Sequence, residues 1–311
     1  MEMRAVFGAC LDRLMEQNEN IVVLDADLAR ANGTLALRKK YPGRALDVGV
    51  AEQNMASVAA GLASYGFIPF ISSFTAFASR RIADQAAISI SYAGQNVKIV
   101  GSDPGVSAEY NGGTHMSMED VGIMRAIPGI TVFEPVDAVQ LEKALPVIAA
   151  HEGPVYMRLF RKEIAPVFDE NYVFDLFKAD LLREGSDVTI AATGILVHEA
   201  LAACDTLQAG GISAEVLNFH TLKPLDEQAL LASVQKTGCL VTAENHSLIG
   251  GLRSACAEYL SEAYPVPSAG VGVPDVFGEV GLLQPLKEKF GLTAENIVVK
   301  AKQVLEKRRA K

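Results

Sequence analysis

The sequence predicts an α/β protein of two domains, each a mainly parallel sheet with helices wound over both faces. Three observations predict it. Runs of β-branched and aromatic residues alternate with stretches of helical periodicity along the chain, the order that generates covered parallel sheets. At 311 residues, the chain exceeds the size at which single cores usually stop growing. The rhythm also lapses once, into the polar KEIAPVFDENYVFDLFKADLLREGS between Lys162 and Ser186, and then resumes.

The elements follow in order. Helical periodicity over 3–17 leads into the strand IVVLDAD at 21–27, then ALDVGV, a helix from Glu52, and FIPFISSF at 67–74. A helix over 75–93, the strand NVKIVGSD, a short helix in MEDVGIMRAI, the strand ITVFEP, a helix over 136–150 and the strand VYMRLFR complete the first set. The second set reads DVTIAAT, a helix over 194–210, SAEVLNF, a helix near 226–236, GCLVTAE, a helix over 251–263 and terminal helices reaching Lys307. The expected domains are therefore 1–165 and 186–311, with a linker at 166–185.

Composition narrows the function. A net charge of −9 and a pI near 5.2 argue against nucleic acid or an anionic membrane surface, which call for a basic face. The neutral run from Gln53 to Ser79 is broken by Gln53, Asn54, Gly61, Gly66 and Pro69, so it is too short in apolar stretches to span a bilayer. The start, MEMRAVFGACLDRLMEQN, lacks the apolar core of a signal peptide, and a cytoplasmic location is expected. Cys10, Cys204, Cys239 and Cys256 have no zinc or dithiol spacing and read as buried thiols.

Glu52 is the last carboxylate before that neutral run. It opens a helix at the carboxyl end of ALDVGV, where ligands gather in such sheets. Its plain reading is a charge complementing the helix dipole. Against this, small residues Ala56, Ala59, Ala60, Gly61 and Ala63 predict tight packing, and no cation lies nearby in sequence. A carboxyl group taken out of water can hold or share a proton near neutrality.

Two long stretches, DVGVAEQNMASVAAGLASYGFIPFISSFTAFASRRIADQ and VKIVGSDPGVSAEYNGGTHMSMEDVGIMRAIPGITVFEPVD, resemble the pyrimidine-binding domain of the thiamine-diphosphate transketolase family. TLKPLDEQAL and TAENHSLIGGL resemble that family's smaller α/β C-terminal domain, so the likeness spans essentially the whole chain. It implies that Glu52 hydrogen-bonds the cofactor's aminopyrimidine in a water-poor, uncharged pocket. It further implies that Phe74 and Phe77, otherwise plain core aromatics, line that pocket, and that Arg81 lies near the cofactor, with Ala83 where an aromatic is common. His115, in the polar loop GSDPGVSAEYNGGTHMSME, is implied to face the reacting carbons.

By the same resemblance, Arg161 and Arg4 match phosphate ligands, for which a guanidinium suits bidentate contact. Asp103 and Asn111 stand at substrate positions usually held by His and Asp; an acid at the first would repel a phosphate dianion. Arg158 is expected to point to the opposite face of its strand. In the second domain His220 and His246 read as structural, although His246 precedes a Gly-rich turn and helix that would accept an anion. His198 and the terminal KRRAK read as solvated.

No GDG occurs in the chain. In the family that motif, with a later Asn, holds Mg2+ (or Ca2+) and the diphosphate. The resemblance therefore implies half of a split enzyme, completed by an N-terminal subunit carrying the motif and assembled as a dimer of heterodimers. The implied activity is transfer of a two-carbon ketol unit from a ketose, with a sugar phosphate expected, to an aldose. Two alternatives stay open: the β subunit of a 2-oxoacid decarboxylating component or a deoxyxylulose-phosphate synthase-like enzyme, and a non-catalytic partner module.

Overall fold

The structure, a computed structural model, describes residues 1–310; Lys311, which ends the expected tail and second domain, lies outside the described residues. The first half runs α1 (Met3–Gln17), β1 (Ile21–Asp25), α2 (Ala29–Asn32), α3 (Leu35–Lys40), β2 (Ala45–Asp47), α4 (Glu52–Ser64) and β3 (Ile68–Phe74). It continues with β4 (Lys98–Ser102), α5 (Asp120–Ala126), β5 (Thr131–Phe133), α6 (Ala138–Ala150) and β6 (Val155–Leu159). The second half holds β7 (Asp180–Arg183), β8 (Val188–Ala192), α7 (Leu196–Ala209), β9 (Ala214–Asn218), β10 (Thr221–Lys223) and α8 (Glu227–Thr237). It closes with β11 (Leu240–Ser247), α9 (Leu252–Ala263), β12 (Ser268–Val273), α10 (Leu283–Phe290) and α11 (Ala294–Arg309).

Two sheets result, ordered β10-β5-β6-β4-β3-β1-β2 and β12-β11-β8-β9-β7. All ladders are parallel except those of β10 on β5 and β7 on β9. β1, β4, β6, β8 and β9 are buried along their whole length, as expected for strands covered on both faces. One apolar layer joins α1 and α6 of the first half to α7 and α11 of the second, and the other joins α4 and α5 to α8 and α9. Each layer runs through both halves.

Three short strands lack a sequence signal. β7 lies inside the expected linker 166–185, where its alternating half-buried and exposed residues place it at a sheet edge. β10 has three residues and crosses to the first sheet. β12, SAGVGV, is glycine-rich, a composition poor in strand propensity. The expected continuous helix over 75–93 is instead a turn, a 3-10 segment at Arg80–Ile82 and a π-helical stretch at Gln85–Tyr92. Its Ile-Ser-Ile-Ser run is a weak helix former, so packing against α4 decides the winding.

Candidate active site

The site lies beyond the carboxyl ends of the first sheet's strands. α4 begins at Glu52, and its face of Met55, Ala56, Ala59 and Ala60 is buried. Three alanines allow close approach to β3, which buries Glu52 to 2% exposure. Arg81 Nη1 lies 2.8 Å from both Glu52 carboxylate oxygens. This corrects the expectation of an uncharged pocket. The partner stands 29 residues away in sequence and is delivered by the turn after β3. Arg81 is itself 41% exposed, so the guanidinium joins the buried carboxylate from the solvent side.

From Arg81 the contacts continue through aromatic rings. Its guanidinium carbon sits 3.9 Å from the Phe77 ring centroid. Phe77 packs edge-on to His115 at 5.1 Å and to Phe74 at 6.2 Å, and Phe74 meets His115 at 5.8 Å. Arg161 lies 4.9 Å over Phe74 and donates Nε to Asp103 Oδ2 at 2.7 Å. Glu52, Arg81, Phe77, His115, Phe74, Arg161 and Asp103 thus form one connected constellation. Burial pushes the Asp103 carboxyl above its ordinary range, against the pull of Arg161.

Two sequence candidates stay outside it. Arg4 pairs with Glu2 at 2.8 Å, and Asn111 is exposed at the end of the turn Gly105–Asn111. The His115 loop is braced by the second half: a Cβ on Gly113 would meet the Gly278 carbonyl, so these backbones touch only because Gly113 has no side chain.

Sequence reasoning missed two buried networks. Arg158, expected only to face away, is fully buried. It donates to Asp120 Oδ2 at 2.8 Å, Glu134 Oε2 at 2.6 Å and the Asn245 carbonyl of β11 at 2.9 Å, which ties the halves together. Asp25, at the end of β1, accepts from Thr34 at 2.6 Å and Asn32 at 3.3 Å, and Ser102 of β4 bonds Asn32 at 2.8 Å. Burial raises the Asp25 carboxyl to about 6.

Other expectations change as well. The α9 N-terminus is already occupied by a carboxyl group: Glu244 accepts from Leu252 N at 2.6 Å and Arg253 N at 2.9 Å. His246 is fully buried, and burial lowers its imidazole to about 4. His198 bonds the Ala165 carbonyl at 2.7 Å, and Arg308 of the terminal run clasps the Asp187 carbonyl at 2.7 Å. Neither is simply solvated.

The residues present suit the flat, neutral half of thiamine diphosphate. A buried carboxylate borders a cleft of about 420 Å³ lined by Val50, Ala51, Glu52, Gln53, Asn54 and Arg81, aromatic rings stand beyond Arg81, and the buried Gln85 Oε1 has no hydrogen-bond partner among the described residues. They do not suit the metal-bound half: among the described residues, no group of three His, Cys, Asp or Glu is placed to hold an ion. Nor, among them, is any helix long and apolar enough to cross a membrane.

The chain resembles known proteins along nearly its whole length. Residues 1–166 match the family model "Transketolase, pyrimidine binding domain" and residues 177–297 match "Transketolase, C-terminal domain". The chain is 61% identical over 306 residues to the 6-deoxy-6-sulfo-D-fructose transketolase subunit SqwH of Clostridium sp. (strain MSTE9), covering 98% of this chain and 95% of that one. It is 40% identical over 307 residues to a putative transketolase C-terminal section of Methanocaldococcus jannaschii, covering 98% and 95%. A solved structure described as "Split gene transketolase, inactive beta4 tetramer" superposes with a TM-score of 0.91 at 43% identity, covering 98% and 99%.

Proposed function

This chain belongs to the transketolase family, and we propose that it is the C-terminal subunit of a two-component transketolase. The observation that carries the reading is the buried Glu52 linked through Arg81 and Phe77 to His115. Thiamine diphosphate, when bound, supplies an electron sink for breaking the bond beside a ketose carbonyl.

The chain's own residues prepare and shield that chemistry. Glu52 would hold a proton at a carboxylate oxygen against the heterocycle, with Arg81 displaced to the pocket edge. Phe74 and Phe77 present apolar ring faces that exclude water, which strengthens the carboxylate's contact. His115, packed edge-on against both rings and hydrogen-bonded to Thr114 at 2.9 Å, would serve the sugar's protons. Arg161 and Asp103 border the sugar's far end.

The metal and the diphosphate would be held by an N-terminal partner subunit, magnesium or calcium being the ion, in a cytoplasmic dimer of heterodimers. The donor is a ketose with an anionic terminus, and the relative named for a sulfo-fructose makes a sulfonate the first candidate over the phosphate expected from sequence. Expressed alone, the chain should be inactive. The test is two-carbon transfer by the reconstituted pair with thiamine diphosphate and Mg2+: Glu52→Gln should lose at least about 100-fold in kcat while keeping its thermal midpoint. Wild-type turnover in that variant would refute the role of Glu52.

A further inference from the structure

The positive charge of Arg161 is cancelled where it arises. Nε and Nη2 both go to Asp103 Oδ2, the former at 2.7 Å, and Nη1 reaches the Ala31 carbonyl at 3.3 Å. A guanidinium carries five N–H donors, so two remain for a ligand. Asp103 is buried, its backbone sits at φ +53, and its N–H donates to the Leu159 carbonyl at 2.9 Å. Asp is among the few residues with a Cβ that adopt a left-handed conformation, and its backbone bond to Leu159 places the acid just past the end of β4.

The neighbouring cations follow suit. Arg4, whose N–H donates to the Arg161 carbonyl at 3.1 Å, pairs with Glu2, and Lys162 pairs with Glu109. Arg161, Arg4 and Lys162 thus each face a carboxylate of their own. Beside Phe74 and His115 the chain therefore offers hydrogen-bond donors without net positive charge.

We propose that the Asp103–Arg161 pair sets the charge of the sugar terminus this subunit accepts, selecting a singly charged sulfonate over a doubly charged phosphate. The inference rests on the transketolase reading above. A sulfonate needs donors and only a weak field, which the two free N–H groups supply. The second charge of a phosphate meets the Asp103 carboxylate beside cations, Arg161, Arg4 and Lys162, that are each already paired.

The experiment uses the enzyme reconstituted with its partner subunit and three donors: 6-deoxy-6-sulfofructose, fructose 6-phosphate and the uncharged ketose erythrulose. Wild type should favour the sulfonate over the phosphate in kcat/KM by about tenfold or more, and Asp103→Asn should move that ratio about tenfold toward the phosphate. A wild-type preference for phosphate, or an unchanged ratio in Asp103→Asn, overturns the role of the pair while erythrulose turnover leaves the transketolase reading standing. No transfer from any of the three overturns that reading and the pair's role with it. Should Asp103→Asn not fold, inhibition of wild type by glycerol 3-phosphate and by 2,3-dihydroxypropanesulfonate carries the test. The sulfonate should inhibit at the lower concentration; equal or stronger inhibition by the phosphate overturns the proposal.

Discussion

Replacing Arg158 by Met should be among the most destabilising single changes available to this chain. The guanidinium is wholly enclosed and binds Asp120, Glu134 and the Asn245 carbonyl. Without it, among the described residues, Glu134 keeps only a 3.4 Å contact from Thr193 and Asp120 keeps the Tyr156 hydroxyl at 2.9 Å. Two carboxylates would then share a dry space. Breaking a buried ion pair from one side costs about 3–5 kcal/mol, and that range is the expected loss in urea unfolding at pH 8.

The pH dependence supplies the sharper check. Burial already raises the Glu134 carboxyl, and Arg158 opposes that rise, so the substitution lifts it further. A carboxyl raised in the folded state contributes stability below its unfolded pKa, and loses it as pH climbs through the folded value. The gap between wild type and Arg158→Met should therefore narrow from pH 8 to pH 5. Adding Glu134→Gln should recover part of the loss. A loss below about 1 kcal/mol, or the same gap at both pH values, would show that the network does not act as described.

Asp25→Asn removes a carboxyl raised from 3.8 to about 6; as pH rises from about 4 to 7, wild type should lose about 2 kcal/mol relative to the variant, and parallel thermal-unfolding curves would contradict this. Gly113→Ala places a Cβ against the Gly278 carbonyl and should cost about 1–3 kcal/mol and reduce turnover of the reconstituted enzyme, since His115 is two residues on; unchanged kinetics would sever the loop from the site. Asp137 caps α6 at Gln140 N (2.7 Å) and also accepts from Val167 N (2.6 Å) and Phe168 N (2.9 Å). Asp137→Ala should lose about 2–4 kcal/mol and speed proteolysis after α6, as limited trypsin digestion would reveal.

Legibility in the sequence followed the range of the interactions. IVVLDAD and VYMRLFR were readable because strands buried on both faces need continuous apolar runs, and Glu52 because a helix start and a loss of charge coincide there. Phe74, Phe77 and His115 were named from the resemblance, and the structure brings them together. What escaped depends on partners distant in sequence: Arg81 for Glu52, Asp103 for Arg161, Asp120 and Glu134 for Arg158. An isolated charge has the same spelling whether it faces water or a buried counter-ion. β7 and β10 escaped because three or four residues at a sheet edge carry no periodicity, and their pairing is decided by a strand elsewhere.

β10 gives the chain an unequal division of labour. The seventh strand of the amino-terminal sheet is encoded some sixty residues after that sheet's last other strand, Val155–Leu159. Expressing residues 1–165 by themselves would strip the flank of Thr131–Phe133 and leave its amide and carbonyl groups open to any passing chain. Such a fragment should self-associate, and a short peptide carrying the Thr221–Lys223 segment should suppress that association by restoring the missing border.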